Sequence, residues 1–151
     1  LTDCVFATVD LSNASFNQSI LVRTAFNLSA LSGARFTGMK FIDARLSTME
    51  MRGVIFENCS FHGVDFKECD LDGINFDGQT FIGVKFDRTS LKDATFRGAT
   101  IKNVSFLAPI VWSKRFYRAV RTICFDDATM DKLTYAALKG MEADLSKVRV
   151  V

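Results

Sequence analysis

The chain has 151 residues, 48% hydrophobic and 24% charged, with 19 basic side chains against 17 acidic ones. That length fits one domain and that composition a globular one, and a net charge of +2 lacks the strong basic footprint of a nucleic-acid binder, so direct nucleic-acid binding is not expected. No apolar run nears the roughly 20 residues that span a bilayer and no secretory leader opens the chain, so a cytoplasmic protein is expected, its start at Leu1 rather than Met being consistent with a fragment.

From Leu1 to Phe106 every fifth residue is large and apolar: Leu1, Phe6, Leu11, Phe16, Leu21 and Phe26 begin a series that runs unbroken to Ile101 and Phe106. Two residues before each centre lies a second series of mostly smaller side chains, among them Cys4, Ala14, Ala34, Val54, Cys59, Cys69 and Val104. Neither series contains a charge. A period of five would drift around a helix and alternate faces on a strand, so the chain must turn once per repeat. Within a repeat, the centre and the residue two before it point inward, as in a short extended segment, and the centre's two neighbours point outward. The remaining position is the corner, where eight of the nine glycines lie together with Asn13, Asn58 and Asn103, residues that tolerate positive φ.

Four corners close a square, which predicts a coil of 20 residues. Sorting the centres by that number gives one column made only of phenylalanine (Phe16, Phe36, Phe56, Phe76, Phe96) and one made only of Leu and Met (Leu11, Leu31, Met51, Leu71, Leu91). The segments "ASFNQ", "ARFTG", "VDFKE", "ATFRG" and "ADLSK" resemble the pentapeptide repeat family, continuously over about 106 residues. The resemblance implies an all-β fold, a right-handed quadrilateral β-helix, here of about five coils over residues 1–106, with edges only at its ends.

After Phe106 the register breaks at "LAPIVWSKRFYRAVRT", which contains Pro109, the only proline. Trp112, Phe116, Val120 and Ile123 lie near helical spacing with Lys114, Arg115, Arg118 and Arg121 between them, predicting a short amphipathic helix over about 112–122 that covers the end of the coil. Residues 129–140 read either as repeats in a shifted register (Met130, Tyr135, Leu145) or, preferably, as a helix over about 129–139 stopped by Gly140, followed by a last pentapeptide, "ADLSK". Residues 107–151 are thus a capping segment with one or two short α-helices, part of the same domain. Residues 1–106 carry a net charge of −1 and residues 107–151 of +3.

The stretch "FHGVDFKECDLDGINF" holds the only histidine, His62, among four acids, but no nucleophile or metal partner stands at an ordered spacing from it. Cys59 and Cys69 sit at inward positions on opposite sides of one coil and read as core thiols, a disulfide among the four cysteines staying open. Sorted by coil, Arg45, Asp65 and Lys85 form one outward column and Arg52, Asp72 and Lys92 another, predicting ion pairs between coils, with Glu57 over Asp77 as a like-charge exception. One outward column is not polar: Val22, Ile42, His62 and Ile82, with Ile20 nearby. No catalytic, cofactor or metal motif appears, so no enzyme and no cofactor is expected.

The expected function is a scaffold that binds a protein partner, a second copy of the chain included, through the Val22, Ile42, His62, Ile82 face. A basic contact at Lys114, Arg115, Arg118 and Arg121 is the second candidate surface. The family resemblance implies an alternative, a DNA-mimicking protein that binds DNA gyrase and confers resistance to its inhibitors. Mimicry requires a predominantly acidic rod, which these charges do not supply.

Overall fold

The computed structural model describes residues 1–107 and 113–151, so that Pro109 and Trp112 lie outside the described residues. The chain winds as a four-sided parallel β-helix. Its sides are named below by the centres of one coil: Phe61, Phe66, Leu71 and Phe76. The Phe61 side is a seven-stranded parallel sheet of Ile20–Val22, Lys40–Ile42, Ser60–His62, Thr80–Ile82, Thr100–Lys102, Thr129–Met130 and Arg149–Val150. The Phe66 side has four strands and the Phe76 side three, whereas the Leu71 side is joined by isolated bridges such as Glu50 to Asp70 and Asp70 to Ser90.

The predicted 20-residue coil is the observed register: Phe41 pairs with Phe61 and Phe61 with Phe81. In each rung the residue before the centre turns both its backbone groups toward the preceding coil. Ser90 N–H donates to Cys69 O while Ser90 O accepts from Leu71 N–H, at 3.0 and 2.9 Å. The phenylalanines stack in columns, Phe41 on Phe61 and Phe61 on Phe81 both at 4.9 Å between ring centroids, which adds about 0.5–1.5 kcal/mol per pair to the burial of the rings.

All 21 corners from Asp3 to Asn103 have positive φ. Thirteen of them are not glycine; Leu28, Thr48 and Arg88 hold φ values of 49°, 53° and 55°. Glycine and asparagine ease this turn but do not dictate it, because the coil hydrogen bonds on either side hold the corner whatever its side chain.

The inward position two before each centre is also a place for polar side chains, which donate to backbone carbonyls there, Thr24 to one and several others to two. Cys59 Sγ donates to Phe36 O and Glu57 O at 3.2 and 3.4 Å, and Cys69 Sγ to Leu46 O and Lys67 O at 3.2 and 3.6 Å. Gln79 and Thr89, two and four inward positions beyond Cys69, repeat the pattern, Thr89 Oγ1 reaching Phe66 O at 2.8 Å. Among the described residues no buried side-chain polar atom lacks a partner, and all four cysteines are free thiols. Burial pushes the Cys59 thiol up and pushes Cys69 up to about 12.

The five predicted coils are present, and the ladder continues past Phe106. Thr129 pairs with Thr100, 29 residues away rather than 20, so the sixth coil contains nine extra residues. These build α1, Ser113–Val120, which takes the place of a strand on the Leu71 side and buries Phe116 and Val120. Beyond it Phe125 stacks on Phe96 and Met130 joins the Phe61 side. The next coil returns to 20 residues, Thr129 pairing with Arg149, although α2, Lys132–Gly140, stands where two pentapeptides would run. Residues 129–140 are thus a strand residue pair and then a helix. Gly140 is the last helical residue rather than the stop; Met141 is the C-cap and Glu142 makes the positive-φ turn.

Asp131 is the N-cap of α2. Its carboxylate accepts from Thr134 N–H at 2.7 Å and from Asn103 N–H, tying the helix to the coil beneath. Burial alone would raise this carboxyl group; the backbone donors outweigh it and hold Asp131 below its ordinary value. Val104 N–H in turn donates to Thr134 Oγ1 at 3.1 Å.

Candidate interaction surfaces

On the Phe61 side, Cα register places Val22 beside Ile42, Ile42 beside His62 and His62 beside Ile82. The four therefore form one continuous outward ladder, bounded by Thr2 at one end and Lys102 at the other. Ile82 is 39% exposed, and Val22, Ile42 and His62 are half-buried. The parallel column one step back along each strand runs Ile20, Lys40, Ser60, Thr80, Thr100, and only Ile20, 48% exposed, extends the apolar surface. The His62 side chain makes no hydrogen bond or ion pair among the described residues, and its ladder neighbours are two isoleucines. It has neither the acid nor the nucleophile that proton-transfer chemistry requires.

The outward acids pair differently from the predicted columns. Arg45, Asp65 and Lys85 are register neighbours, yet no ion pair within 4 Å forms among them. Arg52 reaches sideways to Asp70 at 3.2 Å instead of Asp72, and Lys92 lies 3.8 Å from Asp93. Asp72 instead accepts from Ser90 Oγ and from Lys92 backbone N–H, the latter at 2.8 Å. Asp77 accepts likewise from Arg97 N–H at 2.8 Å. A short aspartate just after a centre reaches the amide one coil on more readily than a cation, which is why column sorting misassigned the pairs. A different contact keeps Glu57 from Asp77: Glu57 turns back to pair with Arg35 at 2.6 Å.

Three of the four basic residues near the C-terminal end, Lys114, Arg118 and Arg121, line one cavity of about 350 Å³ together with Tyr117, Met141 and Glu142. Arg121, just past α1, is held by Glu142. Arg115 and Arg118 face another of about 520 Å³, between α1 and the Leu71 side, with Leu91, Phe116 and Ala119 among its lining. That cleft was not legible as a site: its walls are residues 88–92 and 115–122, and only the nine-residue offset in the ladder brings them together. Among the described residues no cluster of His, Cys, Asp or Glu could hold a metal ion, and no described helix is long and apolar enough to cross a membrane.

A model of the pentapeptide repeat region matches residues 1–76, and a model of eight pentapeptide repeat copies matches residues 59–98. The chain belongs to the pentapeptide repeat family. Two trypsin-treated forms of QnrB1, a plasmid-mediated fluoroquinolone resistance protein, are similar in structure with TM-scores of 0.60 and 0.63. Both are 14% identical, covering 100% and 99% of this chain and 83% and 81% of QnrB1. A pentapeptide repeat protein of the Arabidopsis thaliana thylakoid lumen is 20% identical with a TM-score of 0.42, covering 77% of this chain and 79% of that one. None of the curated proteins compared with the sequence matches it. The likeness to QnrB1 establishes the fold: this pentapeptide repeat protein is a right-handed quadrilateral β-helix with, among the described residues, two short helices near its C-terminal end.

Proposed function

We propose that this pentapeptide repeat protein is a non-enzymatic scaffold that binds a protein partner through the Val22, Ile42, His62, Ile82 ladder. The observation that carries the reading is the continuity of that ladder on the seven-stranded side, flat and half-exposed, where the other outward columns are polar or charged. Apolar area on a flat sheet contributes to association without any group that would act on a substrate. The test is affinity capture with the wild-type protein and an Ile42→Lys, Ile82→Lys variant, alongside light scattering for self-association. A protein or a second copy held by the wild type and lost from an equally stable variant supports the reading; identical capture and identical mass for both would remove it.

The DNA-mimic reading finds less support. Residues 1–106 have a net charge of −1, and five of their twelve acids pair with Arg23, Arg35, Arg52, Arg88 and Arg97. A gyrase supercoiling assay showing inhibition, or rescue from a fluoroquinolone, would reverse that preference.

A further inference from the structure

A strand in a sheet lies about 4.8 Å from its neighbour, whereas a helix packs at about 8–10 Å. Substituting α1 for a strand on the Leu71 side therefore stands the backbone off the coil below. The side chains of Phe116 and Val120 span part of the gap, and the rest is the cleft of about 520 Å³, within the range of cavities that accept a small ligand or a few side chains.

The chemistry of this cleft is two-sided. Its apolar surface comes from Leu91 on the coil and from Phe116 and Ala119 on the helix. Its cations are Arg88 and Lys92 on the coil wall and Arg118, with Arg115, on the helix wall. Asp72 is the one acid in the lining, and its Oδ1 is already taken by Ser90 Oγ and Lys92 N–H. Arg88 shares Glu68 at 3.3 Å, while Arg118 has no ion-pair partner among the described residues. Positive charge on both walls of an apolar floor complements an anionic ligand that also carries a hydrophobic group.

We infer that this cleft docks an acidic segment of a partner protein, which seats a bulky apolar side chain against Phe116, Ala119 and Leu91 and sets flanking carboxylates against Arg118, Arg88 and Lys92. A nucleic-acid backbone would meet the cations but leave the apolar floor unfilled, which is why a peptide is the better occupant. The cleft lies across the square from the Val22 to Ile82 ladder, so it stands independently of the function proposed there.

Fluorescence anisotropy tests this with a fluorescein-labelled synthetic peptide, Gly-Asp-Glu-Leu-Phe-Asp-Glu-Gly, with its counterpart bearing lysines in place of the acids, and with a short duplex DNA. The acidic peptide alone is expected to bind saturably, more weakly as salt rises, and about tenfold or more weakly to Arg118→Glu and to Ala119→Phe, which removes space without changing charge. Thermal melts of both variants report their folding, and Arg88→Glu, on the opposite wall, gives the same readout should a change on α1 unsettle the helix. Absence of saturable binding to the wild type, an affinity unchanged in all three variants, or a preference for duplex DNA that survives Ala119→Phe would overturn the inference.

Discussion

Phe96 and Phe125 stack with their ring centroids 5.4 Å apart and their planes 23° apart, although the strand Thr100–Lys102 and α1 lie between them in the chain. The phenylalanine column that begins at Phe16 thus runs through the insertion without a missing ring. Core continuity, rather than chain continuity, joins the last two coils to the first five.

Phe125→Ala should then cost as much as truncating any ring within the regular coils. Phe125 is 1% exposed, and loss of a buried phenylalanine typically costs about 3–5 kcal/mol. Chemical denaturation of Phe125→Ala beside Phe76→Ala measures this; a loss below about 1 kcal/mol at Phe125 alone would mean that the end of the coil is not coupled to its body.

Deleting residues 113–121 should leave a folded β-helix. The deletion removes the nine extra residues and sets Val111 and Phe125 five and ten positions after Phe106, restoring the spacing of a regular coil. A cooperative thermal melt with a β-type far-ultraviolet spectrum is expected, together with loss of peptide binding at the cleft. A molten or aggregated product would show that α1 is required for closure and not merely accommodated.

Asp131→Ala should destabilise the protein by about 0.5–2 kcal/mol at neutral pH, the usual cost of losing an N-cap. Because the folded state holds this carboxyl group below its ordinary value of 3.8, its ionised form contributes stability above that value and the contribution fades as pH falls through the folded one. Melting temperatures of the two proteins should therefore converge in acid. A gap that stays constant from pH 7 to pH 2 would exclude the charged cap as the cause.

A corner substitution should act in the opposite direction. Thr48 is exposed and β-branched at a φ of 53°, a conformation that costs an L-residue about 1–2 kcal/mol. Thr48→Gly recovers part of that and loses about 0.5–1 kcal/mol to chain entropy, so a gain of up to about 1 kcal/mol is expected in an equilibrium unfolding measurement. An unchanged or lower stability would show that the corner is relaxed despite its dihedral angle.

Thiol titration separates the cysteines. Cys59 and Cys69 are 4% and 3% exposed, both donate to carbonyls, and both are held protonated by burial, Cys69 up to about 12. At pH 8 neither should react with a disulfide reagent in the folded protein, and both should react on unfolding in guanidinium chloride. Rapid modification of Cys69 in the native state would contradict its place in the core.

The centres, the coil length and the all-phenylalanine column were legible because burial inside a square admits only large apolar side chains at one position in five. Resumption of the ladder at Phe125 was not, since nine is no multiple of five and the residues from Ser113 to Val120 have helical periodicity of their own. Ion-pair partners were misassigned for a different reason. Arg52 and Asp70 are flexible or short enough to choose among several neighbours, and a column in the sequence records which residues are adjacent but not which groups meet. The corner rule was read too narrowly from its glycines, because Leu28 and Thr48 turn as Gly63 does.

The seven-stranded side also fixes a pitch. Consecutive members of the Val22, Ile42, His62, Ile82 ladder repeat at the inter-strand distance of about 4.8 Å, so four rungs span roughly 14 Å. Three turns of a helix advance about 16 Å, nearly in step with that comb, and a second stack of strands matches it outright. The surface therefore works as a ruler that admits occupants by period as well as by polarity, and lengthening the coil by whole turns would add teeth without changing their spacing.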